Sequence, residues 1–114
     1  MSTNLEHLWM PFSANRGFKA QPRLMNEAKG MYYKKLDGTK VLDGTAGLWC
    51  CNAGHGNEKI VKAIQDQAAK LDFAPSFQMG HPLAFQAAEK LLSLAPSDAF
   101  QYAFFTNSGS ESVD

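Results

Sequence analysis

Ala103-Phe104-Phe105-Thr106-Asn107-Ser108-Gly109-Ser110-Glu111 is the stretch on which the fold turns: a short apolar run that breaks into small polar residues and then opens a helix. Residues 100–106 are rich in aromatics, with continuous apolar residues at 103–105, and this predicts a strand buried on both faces. Ser108 with Glu111 three residues on is the S-x-x-E signature of a capping box, so a helix is predicted to begin near Ser108. Such a junction offers free backbone N–H groups at the positive end of a helix dipole. Gly109 lets the backbone approach a ligand closely, and Ser110 adds a hydroxyl donor. The three residues Ser108, Gly109 and Ser110 therefore form a candidate phosphate cradle. The same residues suit a plain tight turn, and the motif alone does not choose between the two.

Working back from this junction, Ser97 to Ala99 link it to a helix that Pro96 ends. That helix is predicted to open on Pro82, where a missing N–H costs nothing, and to carry the apolar stripe Phe85, Ala88, Leu91, Leu92 and Ala95. Residues 73–80, with Pro75, Ser76, Phe77 and Gly80, are a loop. Before it, Asn57 caps a helix expected to reach about Leu71, with Ile60, Val61, Ile64, Ala68 and Leu71 at helical spacing. Glu58 with Lys62 and Asp66 with Lys70 are i,i+4 pairs in the favourable order. Met31 to Leu36, Asp37-Gly38, then Thr39 to Leu42 predict a hairpin closed by a type I′ turn. The Gly-rich bend Asp43-Gly44-Thr45-Ala46-Gly47 follows and leads to Trp49, a residue that suits a pocket wall or a structural core position. Residues 1–28 show neither period and contain Pro11 and Pro22, so they are an arm that must lie on some other surface.

Composition sets outer bounds. The 114 residues are one small domain's worth, with eleven basic residues against eleven acidic ones. A formal charge of zero gives no overall field to draw nucleic acid or an anionic membrane. The only two cysteines, Cys50 and Cys51, are adjacent, a spacing that suits a reduced compartment better than a disulfide framework. Neither a secretory n-region and h-region nor eighteen consecutive apolar residues occur, so the cytosol is the expected location. His55 and His81 are far apart in sequence without an acidic partner at ligand spacing, and no metal site is expected. Neither G-x-x-x-x-G-K-[ST] nor G-x-G-x-x-G is present, which argues against a nucleotide-binding module. The chain stops barely one turn into the helix that Ser108 starts, and it is expected to be part of a longer protein.

Five stretches, in order along the chain, carry a resemblance. They are His7-Leu8-Trp9-Met10-Pro11-Phe12-Ser13-Ala14-Asn15-Arg16, Leu42-Asp43-Gly44-Thr45-Ala46-Gly47-Leu48-Trp49, Ala53-Gly54-His55, Phe77-Gln78-Met79-Gly80-His81-Pro82-Leu83 and Phe105-Thr106-Asn107-Ser108-Gly109-Ser110-Glu111. Together they resemble the N-terminal part of a class III, pyridoxal-phosphate-dependent aminotransferase, and within that family the ω-amino acid:pyruvate, or β-alanine–pyruvate, aminotransferases.

The resemblance implies an α/β fold-type-I transferase. Residues 1–56 would supply the arm and a small antiparallel hairpin. Residues 57–114 would begin the large pyridoxal-phosphate domain with two helices and its first strand. It implies that Ser108, Gly109 and Ser110 bind the cofactor phosphate, that Trp49 and Phe12 line the substrate pocket, and that Ser76 and Phe77 reach the site of a partner subunit. The partners implied are an amine donor, a 2-oxo acid acceptor such as pyruvate, and a second copy of the chain in a homodimer or dimer of dimers. The Schiff-base lysine of the family lies beyond Asp114, so no catalytic residue is expected within these 114 residues. The reading from another class is a truncated, non-catalytic product that acts at most as a dimerisation or interaction module.

Overall fold

The computed structural model describes residues 4–96 and 98–114. The first three residues of the expected arm and Ser97 of the expected link lie outside them. The chain divides into two units between Gln67 and Ala68.

The first unit contains a three-stranded antiparallel sheet in the order β1-β2-β3, with β1 at Met25–Lys29, β2 at Tyr32–Lys35 and β3 at Lys40–Leu42. The expected two-stranded hairpin is thus extended by β1, all but the last residue of which falls within the stretch read as arm. Met25 to Lys29 lacks the alternation and the β-branched residues that mark a strand, and its pairing with β2 overrides that weak propensity. Lys29 pairs with Tyr32, so Gly30 and Met31 form a two-residue turn with a φ of +60° at Gly30. A positive φ at the first central position alone is the type II′ arrangement, which matches the twist of the flanking strands. Glu27 and Lys34 face each other across the pair at 3.2 Å. Both are exposed, and such a pair contributes at most about 1 kcal/mol.

The turn between β2 and β3 is not type I′. Gly38 donates its N–H to the Lys35 carbonyl at 2.9 Å and Gly38 alone takes a positive φ, +87°. This is a three-residue loop with glycine in the left-handed position. Asp37 contributes its side chain instead, its Oδ1 accepting the Thr39 N–H at 2.8 Å, and this hydrogen bond holds its carboxyl below the ordinary range.

Helix α1 spans Asn15–Ala20, and α2 is the four-residue turn Ala46–Trp49. Helix α3 covers Glu58–Lys70, close to expectation. Asn57 caps it through Oδ1, which accepts from the N–H groups of Lys59 at 3.1 Å and Ile60 at 3.4 Å. The ion pair that forms on its exposed face is Lys62 with Asp66, in place of the two expected pairings. One exposed side chain engages one neighbour at a time, and such pairs differ by only a few tenths of a kcal/mol.

In the second unit, α4 runs over Pro82–Leu92 with Pro82 in its first turn, and His81 caps it by accepting the Leu83 N–H on Nδ1 at 3.1 Å. It stops short of Ala95: Leu94 and Ala95 bond to the carbonyls of Leu91 and Leu92 in tighter i→i+3 turns before Pro96. Helix α5 spans Gly109–Val113. The strand expected at 100–106 is not formed; these residues have no ladder partner, and Phe104 is 92% exposed. A strand needs a neighbour to take its backbone groups, and no strand is present among the described residues of this unit. No described hydrophobic residue is buried in either unit, and the stripe of α3 leaves Ile60, Val61 and Ile64 open.

Candidate functional site

The cradle begins with the cap of α5. Ser108 Oγ accepts the Glu111 N–H at 3.2 Å, and Glu111 Oε2 accepts from the Asn107 N–H at 2.9 Å and from Ser108 Oγ at 3.2 Å. This is a capping box whose carboxylate reaches one residue further back than the usual pattern. Thr106 Oγ1 ties the turn to the helix, donating to the Ser108 carbonyl at 3.1 Å and lying 2.6 Å from Ser112 Oγ.

With the Ser108 hydroxyl and the Glu111 carboxylate used in the cap, Gly109 and Ser110 still offer their two N–H groups and the Ser110 hydroxyl. None of the three has a partner among the described residues. The position of a Cβ on Gly109 is open for 4 Å around, and its φ is not left-handed. Two aligned N–H donors, a hydroxyl and open space fit an anion such as a phosphate.

The first unit carries a second cluster, built around Asp43. Its Oδ1 accepts from the N–H of Thr45 at 3.1 Å and from Thr45 Oγ1 at 3.3 Å. Its Oδ2 accepts from the Gly47 N–H at 2.7 Å and stands 2.6 Å from His55 Nε2. The ionised carboxylate only accepts, so His55 carries its proton on Nε2. The bond from His55 first, and those from Thr45 and Gly47 after it, hold the Asp43 carboxyl below its ordinary value against the opposing effect of burial. The side chain of Asp43 is only 4% exposed and that of His55 11%.

The His55 ring lies 4.4 Å from that of Tyr33. Its backbone exchanges both hydrogen bonds with Gly30, each 2.8 Å. Partial burial, then the Asp43 charge, raise the Tyr33 phenol above its ordinary value.

What Asp43 holds is a left-handed helical turn. Ala46, Gly47, Leu48 and Trp49 have φ of +50°, +60°, +57° and +69°. Trp49 donates its N–H to the Thr45 carbonyl at 3.0 Å, and Cys51 donates to Ala46 at 2.8 Å. Each L-residue in this conformation costs about 1–2 kcal/mol. The turn contains three of them, so it persists only because the surroundings over-determine it. Gly47 is the exception that suits its place: a Cβ there would come within 3.1 Å of Cys51 Sγ and 3.3 Å of the Tyr33 hydroxyl.

Trp49, at the end of this turn, is 79% exposed. Phe12 is also fully exposed on a left-handed residue, φ +51°, in a turn that Asn15 fastens. Asn15 accepts the Met10 N–H at 2.9 Å and donates to the carbonyls of Met10 at 2.9 Å and Ser13 at 3.1 Å. In the second unit Ser76 and Phe77 are exposed in their loop, next to Gln78 with φ +58°. The structure thus brings Ser108, Gly109 and Ser110 together, and it sets Phe12, Trp49 and Phe77 each on an open turn. Sequence reading missed Asp43, Asn15 and the partner of His55. Asp43 and Thr45 carry the spacing of an Asx turn, which could have flagged the first, but no local signal joins Asp43 to a histidine twelve residues away.

These features define a small α/β chain, and its likeness to solved structures is with transaminases. It superposes on an omega transaminase from Pseudomonas jessenii, crystallised in complex with PMP, with a TM-score of 0.87 at 30% identity, over 96% of this chain and 24% of that one. The class-III aminotransferase family matches residues 13–114, and the chain belongs to that family. An omega-aminotransferase of Caulobacter vibrioides is 54% identical over 113 residues, 99% of this chain and 26% of the relative. The beta-alanine–pyruvate aminotransferase of Pseudomonas aeruginosa is 48% identical over 111 residues, 97% of this chain and 25% of the relative. The chain therefore spans about a quarter of the length of these relatives.

Proposed function

We propose that this chain is part of a pyridoxal-phosphate-dependent aminotransferase that moves an amino group from an ω-amino acid or amine to pyruvate or a similar 2-oxo acid. The observation that carries this reading is the identity of 47 to 54% to an omega-aminotransferase, a beta-alanine–pyruvate aminotransferase and an omega-amino acid–pyruvate aminotransferase, each over 94% or more of the chain. When bound, the cofactor supplies the electron sink that transamination requires.

The chain's own part is binding and orientation. Gly109 and Ser110 take the cofactor phosphate on two N–H groups and a hydroxyl, while Ser108 and Glu111 fix the turn that aims them. Trp49 and Phe12, on turns held by Asp43 and Asn15, present aromatic faces to the donor. Ser76 and Phe77 contribute to the site of a partner subunit in a homodimer or dimer of dimers. In this reading residues 1–56 are the arm and small sheet, residues 57–114 begin the cofactor domain, and the enzyme works in the cytosol.

The test is to express the full-length protein that carries this sequence and to follow alanine formation from β-alanine and pyruvate. Cofactor retention with alanine formation is expected. A protein that retains no pyridoxal phosphate and transfers no amino group from any ω-amino acid or amine would end the reading.

A further inference from the structure

Trp49 makes no side-chain hydrogen bond or ring contact among the described residues, so within this chain what places it is the backbone, which fixes where its Cα–Cβ bond points. That backbone is left-handed for four residues and is reached from the sheet by one continuous set of fixed contacts. Gly30 exchanges two backbone hydrogen bonds with His55, and Tyr33 lies against the His55 ring. His55 Nε2 meets Asp43 Oδ2, the same oxygen that accepts the Gly47 N–H inside the turn. Asp43 is anchored by its own N–H, which bonds to the Met31 carbonyl at 2.8 Å. Its other oxygen fastens Thr45, whose carbonyl in turn accepts the Trp49 N–H.

We propose that Asp43 and His55 are positioning residues for donor choice: together they hold the left-handed turn that aims Trp49, so losing either changes which amine the enzyme accepts. This rests on the reading of Trp49 as a residue that faces the substrate. The chemistry of the pair is suited to the task. A carboxylate accepts on both oxygens, and this one must do so to hold Thr45 with one and Gly47 with the other. An asparagine accepts on one atom only, so either orientation of Asp43→Asn releases one side of the turn. A glutamine at position 55 keeps an N–H donor near the place of Nε2, whereas an alanine leaves Oδ2 without its donor from that side.

The experiment uses the full-length holoenzyme with pyruvate as acceptor and compares kcat/KM for β-alanine and for putrescine. Asp43→Asn and His55→Ala are expected to shift the ratio of the two by roughly fivefold or more, in the direction that Trp49→Ala shifts it. His55→Gln is expected to stay within about twofold of the wild-type ratio. In a Trp49→Ala background neither Asp43→Asn nor His55→Ala should move the ratio further, because the side chain they aim is gone.

A shift by Trp49→Ala together with an unchanged ratio in His55→Ala overturns the positioning role and leaves the substrate reading of Trp49 standing. Equal shifts with and without Trp49 also overturn it, since a purely structural pair acts regardless of what the turn carries. An unaltered ratio in Trp49→Ala removes the substrate reading and this inference with it. Should Asp43→Asn fail to fold, the contrast of His55→Gln with His55→Ala carries the test alone.

Discussion

At Gly109 and Ser110 the donors left over from the helix cap are few enough that each should be felt. A charge-assisted hydrogen bond contributes about 1.5–3 kcal/mol, and 1.4 kcal/mol is about tenfold in affinity. Ser110→Ala is therefore expected to weaken pyridoxal phosphate binding roughly ten- to a hundredfold, measured by titrating the apo-enzyme. Gly109→Val should weaken it more. A Cβ there meets no atom of the described residues within 4 Å and φ is not left-handed, so within this chain the side chain has room, and its expected effect is on the approach of a phosphate. Unchanged affinity in both variants would make this turn only a turn. Asp43 gives a second prediction. Its carboxyl is lowered first by the bond from His55, so in the interval between its lowered value and the ordinary carboxylate value the unfolded chain binds the extra proton. Its contribution to stability is thus present above about pH 4 and lost as the pH falls through the lowered value. Thermal unfolding of the full-length protein against pH should show a shallower acid loss in Asp43→Asn than in wild type. Parallel curves would remove Asp43 as a source of that slope.

The elements that could be read from the sequence are those whose signals are local. Asn57 before α3, Pro82 in the first turn of α4 and the Ser108–Glu111 box of α5 each act within a few residues, and each was found where it was expected. What could not be read depends on partners distant in the chain. Strand β1 exists because β2 accepts it, and the expected strand at 100–106 is absent because nothing accepts it. The turn Ala46–Trp49 is the clearest case, since Ala, Leu and Trp give no hint of left-handed backbone, and the Asp43 carboxylate that holds it acts together with backbone bonds at Thr45 and Ala46. The cradle was legible as a cap but not as a ligand site; the resemblance supplied the ligand. A prediction belongs at this scale. Gly47→Ala places a Cβ on a residue with φ +60°, close to Cys51 Sγ, and should cost about 1–2 kcal/mol. Equilibrium unfolding of the full-length protein in urea measures it, and a midpoint equal to wild type would show that the turn is not left-handed there.

Across the whole chain the apolar patterning is that of residues meant for burial, yet no described hydrophobic side chain is buried. The stripe of α3 exposes Ile60, Val61 and Ile64, α4 exposes Leu83, Phe85 and Leu91, and the segment beyond it exposes Phe100, Tyr102, Phe104 and Phe105. Burying one such side chain contributes about 1.5–3 kcal/mol, and ordering a residue costs a similar amount, so elements that bury nothing are not held by the hydrophobic effect. The extended run at 100–106 adds unpaired backbone groups to exposed aromatics, the combination from which strands of separate copies pair edge to edge. The 114-residue chain produced by itself is therefore expected to self-associate. Size-exclusion chromatography with light scattering should show polydisperse material, and heating should give a broad change in ellipticity without a cooperative transition. Replacing Phe104 and Phe105 by lysine is expected to reduce the association, because it puts like charges on the run through which the copies would pair. A monodisperse monomer of the wild-type chain with a sharp thermal transition would show that these faces find partners within the chain itself.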